Sequence, residues 1–277
     1  MLQYQLLTSF ILIILLTACN APDPSASADI TVAKWQEISL DFPGPETNEL
    51  ADLNPFTDYR LDVTFINGDH KLTIPGYYAA DGEAGETGAE AGNIWRVNFR
   101  PDMEGFWEWK TDFHRGENVA TTGETGQPVN HENTSGSIWV IAPVPGETGR
   151  LERNHPRYLQ WSETGEYFLK GGADSPENFL AYKDFDGTYR HRKDFREGEN
   201  KTEGLHHFTA HEGDWKTGDL TWMAGKGKGM VGALNYLAGK GINSFYFLTM
   251  NINGDGKDVW PFVKHDDFTR FDCSKLD

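Results

Sequence analysis

The chain has 277 residues, 38% of them hydrophobic and 13% aromatic, which is ample apolar surface for a folded core. Its formal net charge is −17 and no stripe of Lys or Arg breaks the acidity, so a reader of nucleic-acid phosphates is excluded. Only Cys19 and Cys273 are cysteines, and the first lies in an export signal, so no disulfide framework is implied. Acidity together with many Trp and Tyr suits carbohydrate handling, because rings stack on sugar C–H faces while carboxylates bind hydroxyls.

The first element is an apolar run from Leu6 to Leu16, too short to span a bilayer as a helix. It ends in "LTAC", Leu16 to Cys19, which resembles a bacterial lipobox: small residues admit the peptidase and the thiol takes the lipid. Residues 1–19 therefore read as a lipoprotein signal peptide with lipid on Cys19, which predicts an exported protein anchored to the bacterial envelope membrane. The opening "MLQYQ" lacks the usual Lys or Arg, which leaves an uncleaved signal anchor as the alternative. Residues 20–33 follow as a polar, Pro/Ser-rich tether.

Strand signals then arrive at regular spacing. "QEISLDF" alternates Ile38, Leu40 and Phe42 against polar neighbours; "YRLDVTF" alternates Tyr59, Leu61, Val63 and Phe65 against Arg60, Asp62 and Thr64. "KLTIPGYY", "NIWRVNFRP", "GFWEWKTDF" and "GSIWVIAPV" continue the series between Gly, Pro, Asn and Asp punctuation. The stretch 79–92, "AADGEAGETGAEAG", reads as a flexible acidic loop. These signals predict a β-sandwich over 34–145, with Trp107 and Trp109 in its core rather than on a sugar platform.

Beyond Pro145 the pattern changes. "HPRYLQWSETGEYFLKGG" predicts a hairpin turning at Ser162 to Gly165. Met230 to Lys240 predicts a helix, with Val231, Leu234 and Leu237 on one side. "INSFYFLTM" then reads as an apolar strand buried on both faces, as in a parallel sheet. Two apolar strands, each ending in polar residues and joined through a helix, predict βα units over 155–277.

In a βα barrel the chemistry gathers where strands end, which marks Asp174, Glu177, Asn178 and Asn251 as candidate ligand contacts. His206, Asp214 and Trp215 of "LHHFTAHEGDW" join them as candidate sugar contacts in a long loop. No metal or cofactor is expected. "NINGDGKD" has oxygen residues at 251, 253 and 255, but Phe262 stands where an EF-hand needs glutamate. "HFTAH" lacks the zincin glutamate, "GKGKG" is not a phosphate loop, and no GxSxG elbow occurs.

"FRPDMEGFWEWKT", with "LNPFTDYRLDVTF" and "IPGYY" upstream, resembles an N-terminal domain of unknown function found on bacterial glycoside hydrolases. In those proteins an Ig-like β-sandwich precedes a (β/α)8 catalytic barrel, and "FLKGGADSPENFLAYKDFDGTY" and "GKGMVGALNYLAGKGINSFYFLTMNINGDG" are similar to the opening of that barrel. The resemblance implies an all-β sandwich followed by an incomplete α/β (TIM-type) barrel fragment, in an exported enzyme acting on polysaccharide. It also implies that the catalytic carboxylate pair sits on later barrel strands. A full barrel takes about 250 residues, whereas 110 follow Tyr167, so no catalytic residue is assigned and the seven candidates are read as substrate-binding. Two other functions fit the composition: a surface lipoprotein that binds carbohydrate without cutting it, and a polysaccharide lyase using a His or Tyr base.

Overall fold

A computed structural model describes residues 28–154, 157–172, 177–185, 204–252 and 258–277. It is rich in sheet, with few helices and no closed barrel among the described residues. The first sheet contains β1 (Ile30–Ala33), β3 (Tyr59–Asn67), β4 (His70–Pro75), β7 (Gly105–Arg115) and β9 (Ser135–Ile141) in the order β1-β9-β7-β3-β4, with the short β8 (Gln127–Pro128) on β7. The second contains β2 (Ile38–Asn48), β5 (Tyr77–Tyr78) and β6 (Ala91–Phe99) in the order β2-β6-β5. All pairings are antiparallel except β1 with β9.

Period-two patterning places one face of each strand in the core. On β3, Tyr59, Leu61, Val63 and Phe65 are all buried, while Arg60, Asp62 and Thr64 are not. Their partners across the interior come from β6 and β2: Trp95, Val97, Phe99, Leu40 and Phe42. Phe65 stacks on Phe99 with centroids 3.8 Å apart, and Trp107, fully buried, meets Phe99 edge-on. Each such ring contributes on the order of 1.5–3 kcal/mol of burial. Trp107 and Trp109 are core residues, as their alternation predicts.

Turn chemistry sets the registers. β3 and β4 are joined through Gly68 and Asp69, and Gly68 takes φ 58°, the positive value that two-residue hairpin turns demand. In β2 the run Pro43-Gly44-Pro45 interrupts pairing with β6, because proline donates no ladder hydrogen bond; the register shifts between Pro43 and Thr47. Gly44 lies directly beneath the Trp95 indole, where a Cβ would come within 2.6 Å of the ring.

The stretch 79–92 is not the flexible loop its composition suggests. Ala79, Ala80 and Ala84 are buried, α1 (Ala84–Thr87) forms a single turn, and β6 begins at Ala91. Alanines small enough to enter the core tie this acidic segment down, and Thr87 Oγ1 donates to Asp81 Oδ2 at 2.8 Å. A second single turn, α2 (Val119–Thr122), covers the start of β3 and buries Val119.

After the sandwich, β10 (Leu151–Glu152), β11 (Leu159–Trp161) and β12 (Tyr167–Phe168) form a small antiparallel sheet. The β11–β12 hairpin turns at Ser162–Gly165 as its sequence predicts. Glu163 in that turn accepts from Trp35 Nε1 at 2.7 Å and pairs with Lys34 at 2.8 Å, which fastens the hairpin to the sandwich. The predicted helix appears as α3 (Lys228–Gly239), beginning two residues early behind Gly227 at φ 92°. Its glycines allow close contact with a 3-10 turn, Thr209–Asp214: a Cβ on Gly232 would fall 1.9 Å from His211 O.

The expected strand over 242–250 is not formed. Leu169–Gly172 and the chain from Asn243 do run side by side in the same direction. Asn243 N donates to Gly171 O at 2.9 Å, and Leu248 N donates to Glu177 O at 2.6 Å. Such a strand needs cover on both faces, and here that cover is incomplete: Tyr246, Phe247 and Met250 are exposed. Phe245 turns inward, onto a cluster of Phe179, Tyr182 and Met230.

The stretch from Thr269 returns to the sandwich. α4 (Cys273–Leu276) packs beside α1, and Cys273 is buried in the same core as Tyr78 and Ala84. Arg270 donates to the carbonyls of Glu49 and Ala51, each at 2.9 Å; Arg96 grips the Asp277 carboxylate at 2.6 Å.

Candidate functional site

The candidates fall into separate groups. Asp174 lies outside the described residues, as do 253 and 255 of the "NINGDGKD" loop. Asn178 and His206, 28 positions apart, are in contact: His206 Nε2 lies 2.9 Å from Asn178 Oδ1, so the ring nitrogen donates and the carboxamide oxygen accepts. The histidine backbone is clamped, with its N–H on Ala181 O at 2.8 Å and its carbonyl accepting from Lys183 N at 3.0 Å. That two-sided clamp fixes where the imidazole projects.

Aromatic rings frame the pair. His206 stacks on Phe208 with centroids 5.0 Å apart, and Phe208 packs on Phe179, which touches Phe245 and Phe247. Glu177 precedes Asn178, is exposed, and holds Leu248 through its backbone carbonyl. Asn251 is three residues beyond Leu248; it exchanges two backbone hydrogen bonds with Val259, at 2.8 and 2.9 Å. Glu177, Asn178 and His206 thus sit where the two side-by-side segments end, beside exposed Tyr246 and Phe247. Polar planar groups among partly exposed rings are the surface that a sugar ring needs.

Asp214 and Trp215 are engaged along α3 instead. The Asp214 carboxylate is 3.0 Å from His211 Nδ1, and its carbonyl accepts from Asn235 Nδ2 at 3.1 Å. Trp215 lies under the Lys228 ammonium, 4.6 Å from the ring centre. Among the described residues no group of three or more His, Cys, Asp or Glu is placed to hold a metal ion.

Sequence reasoning missed two sets of residues. Tyr182 and Asp184 organise the start of α3: Asp184 Oδ2 accepts from Tyr182 Oη at 2.9 Å and from Gly227 N at 3.1 Å. A carboxylate there also suits the positive end of the helix dipole. Burial, then the Asp184 bond, pushes the Tyr182 phenol well up. An aspartate in "AYKDFDG" carries no distinguishing local signal. The second set is Glu49, Tyr78 and Cys273. Burial raises the Glu49 carboxyl from 4.5 to about 7, although a hydrogen bond from the Cys273 backbone opposes it. Burial likewise raises the Tyr78 phenol and the Cys273 thiol, which is therefore a packed side chain rather than a nucleophile.

Comparison with known proteins adds two findings. Residues 31–114, from β1 into β7, match the family model described as Domain of unknown function (DUF5060). No curated protein matches the chain. Among solved structures, the chain is similar to the crystal structure of a "putative glycoside hydrolase" from Bacteroides vulgatus ATCC 8482, with 17% identity and a TM-score of 0.51. The match covers 89% of this chain and 37% of that one, so the chain spans little more than a third of that protein's length. The likeness is one of fold.

Proposed function

We propose that this chain is the N-terminal portion of an exported glycoside hydrolase that acts on a polysaccharide, and that its own loops bind the sugar. The observation that carries the reading is the Asn178–His206 pair, held at the end of two parallel segments and framed by Phe179, Phe208 and Phe247. The fold likeness extending beyond the sandwich, over 89% of the chain, supports it. In this reading Glu177, Asn178 and His206 contact the sugar directly, and Asn251 and Asp174, the latter outside the described residues, are kept as further candidate contacts. Asp214 and Trp215 contribute from the α3 side. Hydrolysis requires a carboxylic acid to protonate the leaving oxygen and a second carboxylate as nucleophile or base. The proposal leaves both to the longer protein that such an architecture belongs to.

The reading also includes an Ig-like class for the sandwich, a TIM-type barrel begun by the second half, and a lipid on Cys19. The lipid is supported by the Leu6–Leu16 run and "LTAC"; radiolabelled palmitate should enter the wild-type chain and not Cys19→Ser.

Affinity electrophoresis through gels of neutral and acidic polysaccharides tests the main claim. One polysaccharide should retard the chain, and Asn178→Ala and His206→Ala should each weaken retention about tenfold, as expected when a half-buried polar pair that contacts the ligand loses a member. Retention by none, or retention indifferent to both substitutions, would reject it. The longer protein should release reducing ends without ultraviolet-absorbing products; absorbing products would indicate a lyase, and retention with no cleavage a binding protein.

A further inference from the structure

The two sheets part at one edge of the sandwich. β4 covers β3 only from Asp62 onward, and the chain crosses to β5 at Gly76, whose N–H bonds Leu61 O at 2.7 Å. The gap is a cleft of about 820 Å³. Buried rings of Tyr59 and Trp95 form its floor, and Tyr77, only partly buried, stands at its mouth. Arg60, Asp62 and the α2 residue Thr122 supply a polar rim, and Phe271 of the returning C-terminal stretch closes one wall.

We propose that this cleft is a binding site for a neutral saccharide. Its volume is that of a ligand pocket rather than a packing defect. An aromatic floor under a polar rim matches a molecule with an apolar face and a girdle of hydroxyls. The rim carries no spare positive charge: Arg60 Nε lies 2.7 Å from Asp62 Oδ2, so the guanidinium is paired while its outer N–H groups remain directional donors. A chain with net charge −17 repels sulfated or uronic polymers, which leaves uncharged sugars as the class that fits. The ligand class rests on the polysaccharide reading, but the site is on the sandwich edge and not at the Asn178–His206 pair.

The test uses the chain labelled with 5-fluorotryptophan, with the Trp95 fluorine resonance assigned through Trp95→Phe. The probes are neutral hexasaccharides (cellohexaose, laminarihexaose, xylohexaose and neoagarohexaose) against hexagalacturonate and a sulfated galactan hexasaccharide. A neutral probe is expected to shift the Trp95 resonance. Thr122→Tyr, an exposed position that fills the mouth without touching the core, should weaken that binding about tenfold or more, as should Arg60→Ala, with thermal midpoints kept within about 2 °C. The proposal is overturned if no neutral probe moves Trp95, if the acidic probes bind as tightly, or if Thr122→Tyr leaves affinity unchanged. Shifts confined to other tryptophans overturn the cleft and leave the polysaccharide reading standing.

Discussion

Glu49 and Cys273, 224 positions apart, meet in the interior: Glu49 Oε1 accepts the Cys273 backbone N–H at 2.5 Å, and both residues are buried. An acidic residue in "TNELADLN" gives no local sign of that fate. Its carboxyl sits where ionisation is costly, because burial outweighs the one hydrogen bond that favours the anion.

Stability should therefore fall as pH rises through the range between 4.5 and about 7. In that window the folded state keeps a proton that the unfolded state has released, so the folded state is favoured below it and loses the advantage above it. The full effect is at most about 3 kcal/mol. Urea denaturation at pH 5 and pH 8 measures it. Glu49→Gln, which retains an acceptor for the Cys273 N–H, should flatten the difference; an equal slope in the variant would show that another group is responsible.

Gly44→Ala should destabilise the sandwich by about 1–3 kcal/mol through overpacking. The new methyl would lie 2.6 Å from Trp95 Cδ1 and 3.0 Å from Phe113 Cε1, both in the core. A lower thermal midpoint accompanied by a change in near-ultraviolet dichroism is the expected result. An unchanged midpoint would mean that the indole can move aside.

Arg96→Ala should expose Cys273. Arg96 holds Asp41 at 2.7 and 2.9 Å, Gly82 O at 2.6 Å and Asp277 at 2.6 Å, joining β6 to the returning stretch. Thiol labelling of native protein in a Cys19→Ser background is expected to be slow in wild type, since the thiol is buried and its acidity suppressed. Loss of Arg96 should speed it several-fold. No change in rate would place the hold on this stretch elsewhere, with Arg270.

Hydrogen exchange should divide the chain. Amides on the β3–β7 ladder, paired from Tyr59 with Arg115 to Ile66 with Glu108, should exchange last. Amides over 243–250, which has few backbone partners and exposed Tyr246 and Phe247, should exchange much sooner. Equal protection in both would contradict the exposure of that segment.

Much of the sandwich was legible because period-two burial is a local rule: β3 alternates from Tyr59 to Phe65, and β6, β7 and β9 alternate over their core-facing stretches. The β11–β12 hairpin and α3 were legible from turn residues and helical spacing. The same rule failed at "INSFYFLTM", where an unbroken apolar run has no second layer to cover it among the described residues. The flexible-loop reading of 79–92 failed for the opposite reason, since its alanines enter a core that composition cannot show. In the candidate site, Asn178 and His206 were both identified, but their contact spans 28 positions and depends on backbone bonds to Ala181 and Lys183. The alliance of Glu49 with Cys273 crosses nearly the whole chain and has no periodic signature at all.

Because Cys273 fills the same interior as Tyr78 and Ala84, translation must run past residue 273 before that interior can seal. Until then the two sheets emerge from the ribosome with a notch at their rim and α1 without its neighbour. Nascent chains stalled at about residue 150 and at full length should differ in protease resistance, and a holding chaperone would find its foothold at that notch.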